Sequence, residues 1–539
     1  MHRWGEWGDG SRDVPLPSRL PALLAGEVGV GVPPFDVPLD DVVAATRTSR
    51  LAGTSPPVAW ALDPLDRLLH ARGQSFPDLV AVRSGDVGPV PDAVARPGAA
   101  AEVRALLSWA AAHDAVVVPW GGGTSVVGGV DCPTGERPVV VADLVGLSGV
   151  RDVDRVSSLA TVGAGATGPA CEAGLREHGL VLGHRPQSFE HSTVGGWVAT
   201  RSSGQQSLGF GRIEDLFAGG TVESPVGPLT LPPFPASAAG PDLRHAVLGS
   251  EGRLGVLVEA VLRVRPLPEV DDVVACYLPG WDEGVAAVRA LAADPTGTAG
   301  LSMLRLSTPA ETAVSFALAG AAGRALQQGL RLARLGGAPC LLLAGVTGDA
   351  TTARRVRARV RDAVRRHAGR VVGTRLGRRW QRSRYDSPYW RSRLWELGYG
   401  VDTVETAAVW SAVPALVADL ERSVAEAVAA TGARAHVGTH LSHVYRTGSS
   451  VYTTAVFPLG ASREATLERW RALKSASLAA IARSGGTVSH QHGVGRDHRA
   501  AAVEEKGPVG TAALGALVDA FDPDGVLATG NLLPGPPAT

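Results

Sequence analysis

Gly121, Gly122 and Gly123 stand in a row behind a hydrophobic run, Ala115 to Val118, and lead into Thr124 and Ser125. A strand, a glycine loop and hydroxyls in that order form a backbone nest for an anion, because glycine lets main-chain N–H groups approach an oxygen that a Cβ would block. The full stretch is Pro119-Trp120-Gly121-Gly122-Gly123-Thr124-Ser125. Two further segments have the character of a cradle for the same ligand. One is Pro186-Gln187-Ser188-Phe189-Glu190-His191-Ser192 with the Ala199-Thr200-Arg201-Ser202 that follows it. The other is Gly249-Ser250-Glu251-Gly252-Arg253-Leu254-Gly255. A Rossmann fingerprint is excluded, since the loop at Gly121 lacks the G-x-G-x-x-G spacing.

A second set of residues could move protons or hold an anion. Tyr452 sits in an alternating stretch, Ser449 to Thr454. A tyrosine there either packs in the core with its hydroxyl bonded or acts as an acid/base. As a base it needs cationic neighbours to bring its pKa down from ~10. Arg391 is one of many arginines between Arg378 and Arg393. Its planar guanidinium suits bidentate capture of a phosphate or carboxylate. His490 and His492 flank Gln491. On a strand, such alternation sends both rings to one face. His436, His440 and His443 raise the question of a metal.

The elements that must position these groups come from a chain of 539 residues, long enough for two or three domains. Its 52 basic and 52 acidic residues cancel, so no basic surplus points to nucleic acid and no polybasic run points to an anionic membrane. Cys132, Cys171, Cys276 and Cys340 lie far apart, as free thiols of a reducing compartment. There is no apolar leader, no apolar run of membrane length and no targeting signal in the final Pro-Gly-Pro-Pro-Ala-Thr, so a cytoplasmic location is expected. Hydrophobic spacing predicts helices at 64–72, 103–113, 169–178, 283–293, 353–367, 413–431 and 510–521. It predicts strands at 116–118, 139–144, 159–163, 256–264, 273–278 and 340–346. Arg265-Pro266-Leu267-Pro268 breaks regular structure and marks a boundary.

The three cradle segments resemble the flavoprotein family that includes vanillyl-alcohol oxidase and the D-lactate dehydrogenases. Within it the likeness is to the alkylglycerone-phosphate synthases (alkyl-dihydroxyacetone-phosphate synthases), and it runs through nearly the whole chain. It is carried also by Arg3-Trp4-Gly5-Glu6-Trp7-Gly8, Arg67-Leu68-Leu69-His70-Ala71-Arg72-Gly73, Ile213-Glu214-Asp215, Val404-Glu405-Thr406, Ser489-His490-Gln491-His492-Gly493-Val494-Gly495 and Asp522-Pro523. The resemblance implies an α+β protein. A lead segment (1–86) precedes a two-subdomain FAD-binding domain of the PCMH type (87–268). A substrate, or cap, domain (269–480) follows, and a C-terminal segment (481–539) returns to the FAD domain and completes the active site.

It also implies FAD held by the three segments, noncovalently, since no histidine lies inside Pro119-Trp120-Gly121 where some relatives attach the flavin. The reaction implied is exchange of the acyl group of an acyl-dihydroxyacetone phosphate for a long-chain alcohol through a flavin N5 adduct. Tyr452 would be the acid/base, Arg391 the phosphate anchor, and His490 and His492 catalytic helpers. A homodimer and peripheral membrane contact stay open. The alternative is an FAD-linked dehydrogenase or oxidase of a 2-hydroxy acid, with Arg391 on its carboxylate. That branch carries H-x-G-D-G-N-x-H and a later Glu. Here His436-Val437-Gly438-Thr439-His440-Leu441-Ser442-His443 keeps only the outer histidines and Gln491 replaces the Glu, so no metal is expected.

Overall fold

The computed structural model describes residues 3–294 and 298–533; the C-terminal tail read above for targeting signals lies outside them. Three larger sheets organise the chain. In the first, Ala93–Ala95, Val139–Asp143 and Val116–Trp120 run parallel, with Trp60–Ala61 antiparallel at one edge. These strands read as continuous Val/Ala runs because both faces are covered. Val117 and Val140 pack under helix Ala100–Ala112, and Val116, Val118 and Val141 pack on the other side with Trp120 and Cys132.

The second sheet has five antiparallel strands, in the order Val150–Asp154, Leu159–Gly163, Val256–Arg263, Phe217–Ser224, Gly227–Leu231. Ala160, Val162, Ala260 and Leu262 alternate onto one face and bury helices Gly168–Glu177 and Val194–Thr200. Arg265-Pro266, read as a break, instead pairs as a short strand with Leu180-Val181. Pro266 is tolerated because this two-residue strand has only one neighbour.

The third sheet has seven antiparallel strands in the order Arg370–Gly373, Val270–Leu278, Cys340–Gly348, Leu301–Ser307, His436–Val444, Gly448–Pro458, Tyr399–Val409. Its core includes Leu342, Leu416, Leu420, Phe457 and Trp395, and it takes Phe76, Leu79 and Val80 from a helix near the N-terminus, Phe76–Arg83. That helix begins in a reciprocal capping box between Ser75 and Asp78. The helix expected at 510–521 is the second half of Arg499–Phe521, which is broken at Gly507, with φ +65°, before Pro508.

The C-terminal segment crosses back to the first sheet. Val526 and Leu527 are fully buried beside Val117 and Leu106, and the Val117 N–H donates to the Val526 carbonyl at 2.7 Å. Asp522 holds the turn by accepting from the N–H groups of Val526 and Leu527 at 2.7 and 2.8 Å. Leu527→Ala should therefore cost about 2–5 kcal/mol of stability and lower flavin retention with it. A melting temperature equal to the parent's, measured on the flavin-loaded protein, would show that the segment is not part of that core.

Candidate active site

A cleft of about 810 Å³, counted with the solvent open to it, separates the first two sheets. The first sheet's loops contribute Pro119, Gly121 and Ser125. The second contributes Ala164, Thr193, Gly195, Gly196, Ala199, Thr200 and the loop with Ser250, Glu251, Gly252 and Gly255. Among the described residues, no protein acceptor receives the N–H groups of Gly122, Gly123, Thr124 or Ser125. Donors left free in a row, at the end of a parallel strand, are what a pyrophosphate requires. Val127, Val198, Val247 and Leu257 make the rest of the wall apolar, as a flat ring system needs. These residues fit FAD.

The segments do not contribute equally. Pro186 to Ser192 stand outside the lining of the cleft. Gln187 donates to the Arg384 carbonyl, Glu190 accepts from Arg12 at 3.0 Å, and His191 meets the Tyr389 hydroxyl at 3.0 Å. Phe189 stacks on Tyr385. Ser192 accepts from the Trp197 indole and Ser202 bonds His184. Arg201 caps the C-terminus of helix Val194–Thr200 with φ +58°, and Arg253 donates to the Asn531 carbonyl. These residues shape the wall from behind. Gly122 is needed for the same reason: a Cβ there would lie 1.8 Å from the His191 carbonyl oxygen, so the glycine allows two segments to touch. Glu251 staples the third segment to the histidine loop, its carboxylate accepting from the N–H groups of Val494 and, at 2.8 Å, Gly495. Burial pushes Glu251 up to about 7 against the pull of those donors.

The register of the third sheet sets the reacting groups. Tyr452 pairs with Glu405 on one side and with His440 on the other, so three chemically active residues stand in one cross-strand row. The Tyr452 ring stacks on His440 and meets His492 edge-on, with centroids 5.1 and 5.9 Å apart. His492 also lines the cleft. Tyr452, His440, His492 and Arg391 all keep some accessible surface, whereas Glu405, His443 and His490 are buried. The former group thus borders open space and the latter stands behind it.

Glu405 is the hub of the buried layer. Its Oε1 bonds His490 Nδ1 at 3.0 Å, and His443 Nε2 lies 3.7 Å from the same oxygen. Its Oε2 faces His492 Nε2 at 3.6 Å. Burial alone would raise this carboxyl, but the contact and hydrogen bond with His490 outweigh it and hold Glu405 below the usual carboxylate range. Burial keeps His443 and His492 neutral by pushing both down. His490 is oriented from its far side. Arg212 donates to its Nε2 at 2.6 Å and to its carbonyl at 3.0 Å, and the Tyr445 hydroxyl lies 2.6 Å from the same nitrogen. A guanidinium has no acceptor, so Nε2 accepts and the proton sits on Nδ1, pointed at Glu405.

Two expectations change. Ser489 to His492 is a bent loop rather than a strand; His490 and His492 converge because one carboxylate holds both. The Tyr452 pKa is not lowered: burial raises it, and Glu405 and Asp402 add to the rise, so the resting phenol is protonated. His436, His440 and His443 do not form a cluster. His436 pairs with Glu27, and His440 with Glu311 and Arg305. The residues that come within mutual ligand distance are instead Glu405, His443 and His490, inside 4.8 Å, where the Arg212 cation disfavours a divalent ion.

Arg391, on helix Ser387–Glu396, is not a surface arginine. It donates to the Gln74 carbonyl at 2.6 Å and to Gln74 Oε1 at 3.2 Å, with Tyr452 and Asp402 inside its electrostatic range. Two of its five N–H groups are used, which leaves three for an anion. Gln74 itself donates its N–H to the Ser125 carbonyl, so the arginine is tied to the glycine loop. Glu405 and Arg212 were not singled out from sequence as site residues. The Val404-Glu405-Thr406 and Ile213-Glu214-Asp215 matches were the only signals of them.

Comparison with known proteins agrees with this geometry. A model of the FAD binding domain matches residues 91–229, and one of the C-terminal domain of FAD linked oxidases matches 267–532. An alkyldihydroxyacetonephosphate synthase of Dictyostelium discoideum is 32% identical over 448 residues, covering 81% of this chain and 72% of that one. One of Trypanosoma brucei brucei is 30% identical over 492 residues, covering 88% and 79%. A solved structure of an alkyldihydroxyacetonephosphate synthase superposes with a TM-score of 0.81 at 26% identity, over 97% of this chain and 96% of that one. With both family models matched and these relatives covering most of the chain, it belongs to the FAD-linked oxidase family, in the group of the alkyldihydroxyacetonephosphate synthases, and is an FAD-dependent enzyme.

Proposed function

We propose that the enzyme exchanges the acyl group of an acyl-dihydroxyacetone phosphate for a long-chain alcohol, a step of ether-lipid synthesis, in the cytoplasm. The observation that supports this most is that Tyr452 packs against His492, which lines the flavin cleft, with Arg391 in electrostatic range of Tyr452 and Glu405 behind His492. FAD, when bound, supplies an electron-accepting ring beside the substrate carbon. The chain's own groups handle the phosphate and the protons. Arg391 binds the phosphate with its free donors. Neutral His492 accepts the proton from C1, and Glu405 at 3.6 Å stabilises the imidazolium that results. The Tyr452 phenol, held protonated by its surroundings, donates toward the oxygen that leaves with the fatty acid. The C1–O bond to the acyl group breaks and a C1–O bond to the alcohol forms; the alcohol's proton goes to the phenolate that Tyr452 became, and His492 returns its proton to C1. His490 fixes Glu405 and does not touch substrate.

The second reading, a 2-hydroxyacid dehydrogenase, uses the same arginine for a carboxylate. It is disfavoured by Gln491 and by the arginine beside the only metal-like cluster among the described residues.

Tyr452→Phe removes one hydroxyl and keeps the ring. Turnover should fall by ~10²-fold or more with flavin content unchanged, the usual scale for a positioned proton-transfer group. Arg391→Lys should chiefly raise KM for the phosphate substrate. Unchanged turnover in Tyr452→Phe on acyl-dihydroxyacetone phosphate would remove the tyrosine from the mechanism.

The flavin should leave the protein on acid precipitation, and activity should survive a chelator. Yellow colour in the acid pellet would establish a covalent link, and activity lost to chelation and restored by zinc or manganese would favour the hydroxyacid reading.

A further inference from the structure

The zero net charge hides a segregated surface. Between residues 320 and 382 the chain holds fifteen arginines, two aspartates and no lysine or glutamate. Most of these arginines gather at one edge of the seven-stranded sheet. Helix Ala350–Arg366 packs on one face through Val356, Val360 and Val364 beside Cys276 and Leu278. Helix Arg375–Ser383 packs on the other face through Leu376 and Trp380 beside Ala275 and Tyr277. The edge strand Arg370–Gly373 runs between them. The helices meet at Asp272, which accepts from Arg357 and Arg378 at 3.0 and 2.9 Å. Two helices and one strand thus wrap a single rim. Acids elsewhere balance these arginines, so net charge hides them; the stretch Arg354 to Arg366, with seven arginines and one aspartate, is a basic run and corrects the expectation that the chain has none.

Most of this charge is unspent. Arg365, Arg366, Arg370, Arg375, Arg379 and Arg382 are exposed, and none has an acidic ion-pair partner among the described residues. Uncompensated like charges at this density repel one another and are relieved by an anionic partner. Val371 and Val372, at the middle of the rim, are 38% and 40% exposed although they are successive residues of a strand. A partner must therefore offer both many negative groups and an apolar layer. Nucleic acid offers the first, but Trp380 is the only Phe, Tyr or Trp in the stretch and is packed against the core, so no ring is free for base stacking.

We propose that this rim is a docking surface for an anionic lipid bilayer, with the arginines on headgroup phosphates and Val371 and Val372 against the acyl boundary. The surface stands apart from the catalytic groups, and its test does not depend on which reaction they perform. The flavin-loaded protein is sedimented with phosphatidylcholine vesicles and with vesicles of equal parts phosphatidylcholine and phosphatidylglycerol. Binding is expected to the mixed vesicles alone, falling at least ~10-fold when salt is raised to about 0.5 M. Replacing the six unpaired arginines by Gln should lower low-salt binding by ~10-fold or more, with flavin content and melting temperature as in the parent. Should that protein fail to fold, Arg379→Gln with Arg382→Gln is measured instead, with a smaller loss expected. No binding to mixed vesicles, equal binding by the variant, or tighter binding to a DNA or RNA duplex at the same salt would overturn the proposal.

Discussion

Glu405 is a carboxylate on a strand of the third sheet with almost no accessible surface, and a charge in that position must be matched by donors or it neutralises. The arrangement around it meets part of that demand with histidines brought from two places, His490 Nδ1 donating to Oε1 at 3.0 Å while Oε2 accepts no hydrogen bond. His443 comes from the adjacent region of the same sheet, while His490 and His492 come from the loop after helix Arg463–Arg483. The loop is held from the FAD side by Glu251, and His490 is held by Arg212, itself bonded to Glu214 at 2.8 Å. One buried charge therefore couples the sheet that carries Tyr452 to both the cradle and the histidine loop.

The same logic separates reacting groups from supporting ones. Side chains that retain accessible surface, Tyr452, His492 and Arg391, border the space where a substrate would lie; those without it, Glu405 and His490, set the protonation states of their neighbours. A neutral His492 next to an anionic Glu405 is a competent proton acceptor, and a raised tyrosine pKa makes the phenol a donor at rest. The site then divides acid and base between two residues, where the sequence suggested one tyrosine for both.

Much of this was legible in the sequence. Pro119, Gly121 and Ser125 of the glycine run, residues 199–200 and 250–252 of the other two segments and His492 line the cleft, and Tyr452 and His490 belong to the cluster beside it. Helices and strands with strong apolar periodicity, such as 103–113 and 340–346, appear within a few residues of their expected ends. What periodicity missed depends on distant pairing. Helix Arg463–Arg483 carries Thr466, Lys474 and Ser477 on its buried face among Leu467, Leu473 and Ile481, and packs against helix Val413–Ala430. The row Glu405–Tyr452–His440 exists only once three strands are in register. The resemblance implied Pro186 to Ser192 as ligands, yet the side chains of Gln187, Glu190 and His191 face the helix at 387–396 and the N-terminal segment.

The central claim is that this constellation exchanges one oxygen substituent for another on a phosphate-bearing ketone, without leaving reducing equivalents in the enzyme. The most direct measurement is anaerobic stopped-flow spectroscopy of the flavin with palmitoyl-dihydroxyacetone phosphate and a long-chain alcohol, followed by product analysis, beside a panel of 2-hydroxy acids. The account predicts a transient loss of the oxidised-flavin band, its full return without oxygen, and one fatty acid released per ether formed. Lasting bleaching by a hydroxy acid, with no ether product from the phosphate substrate, would contradict it.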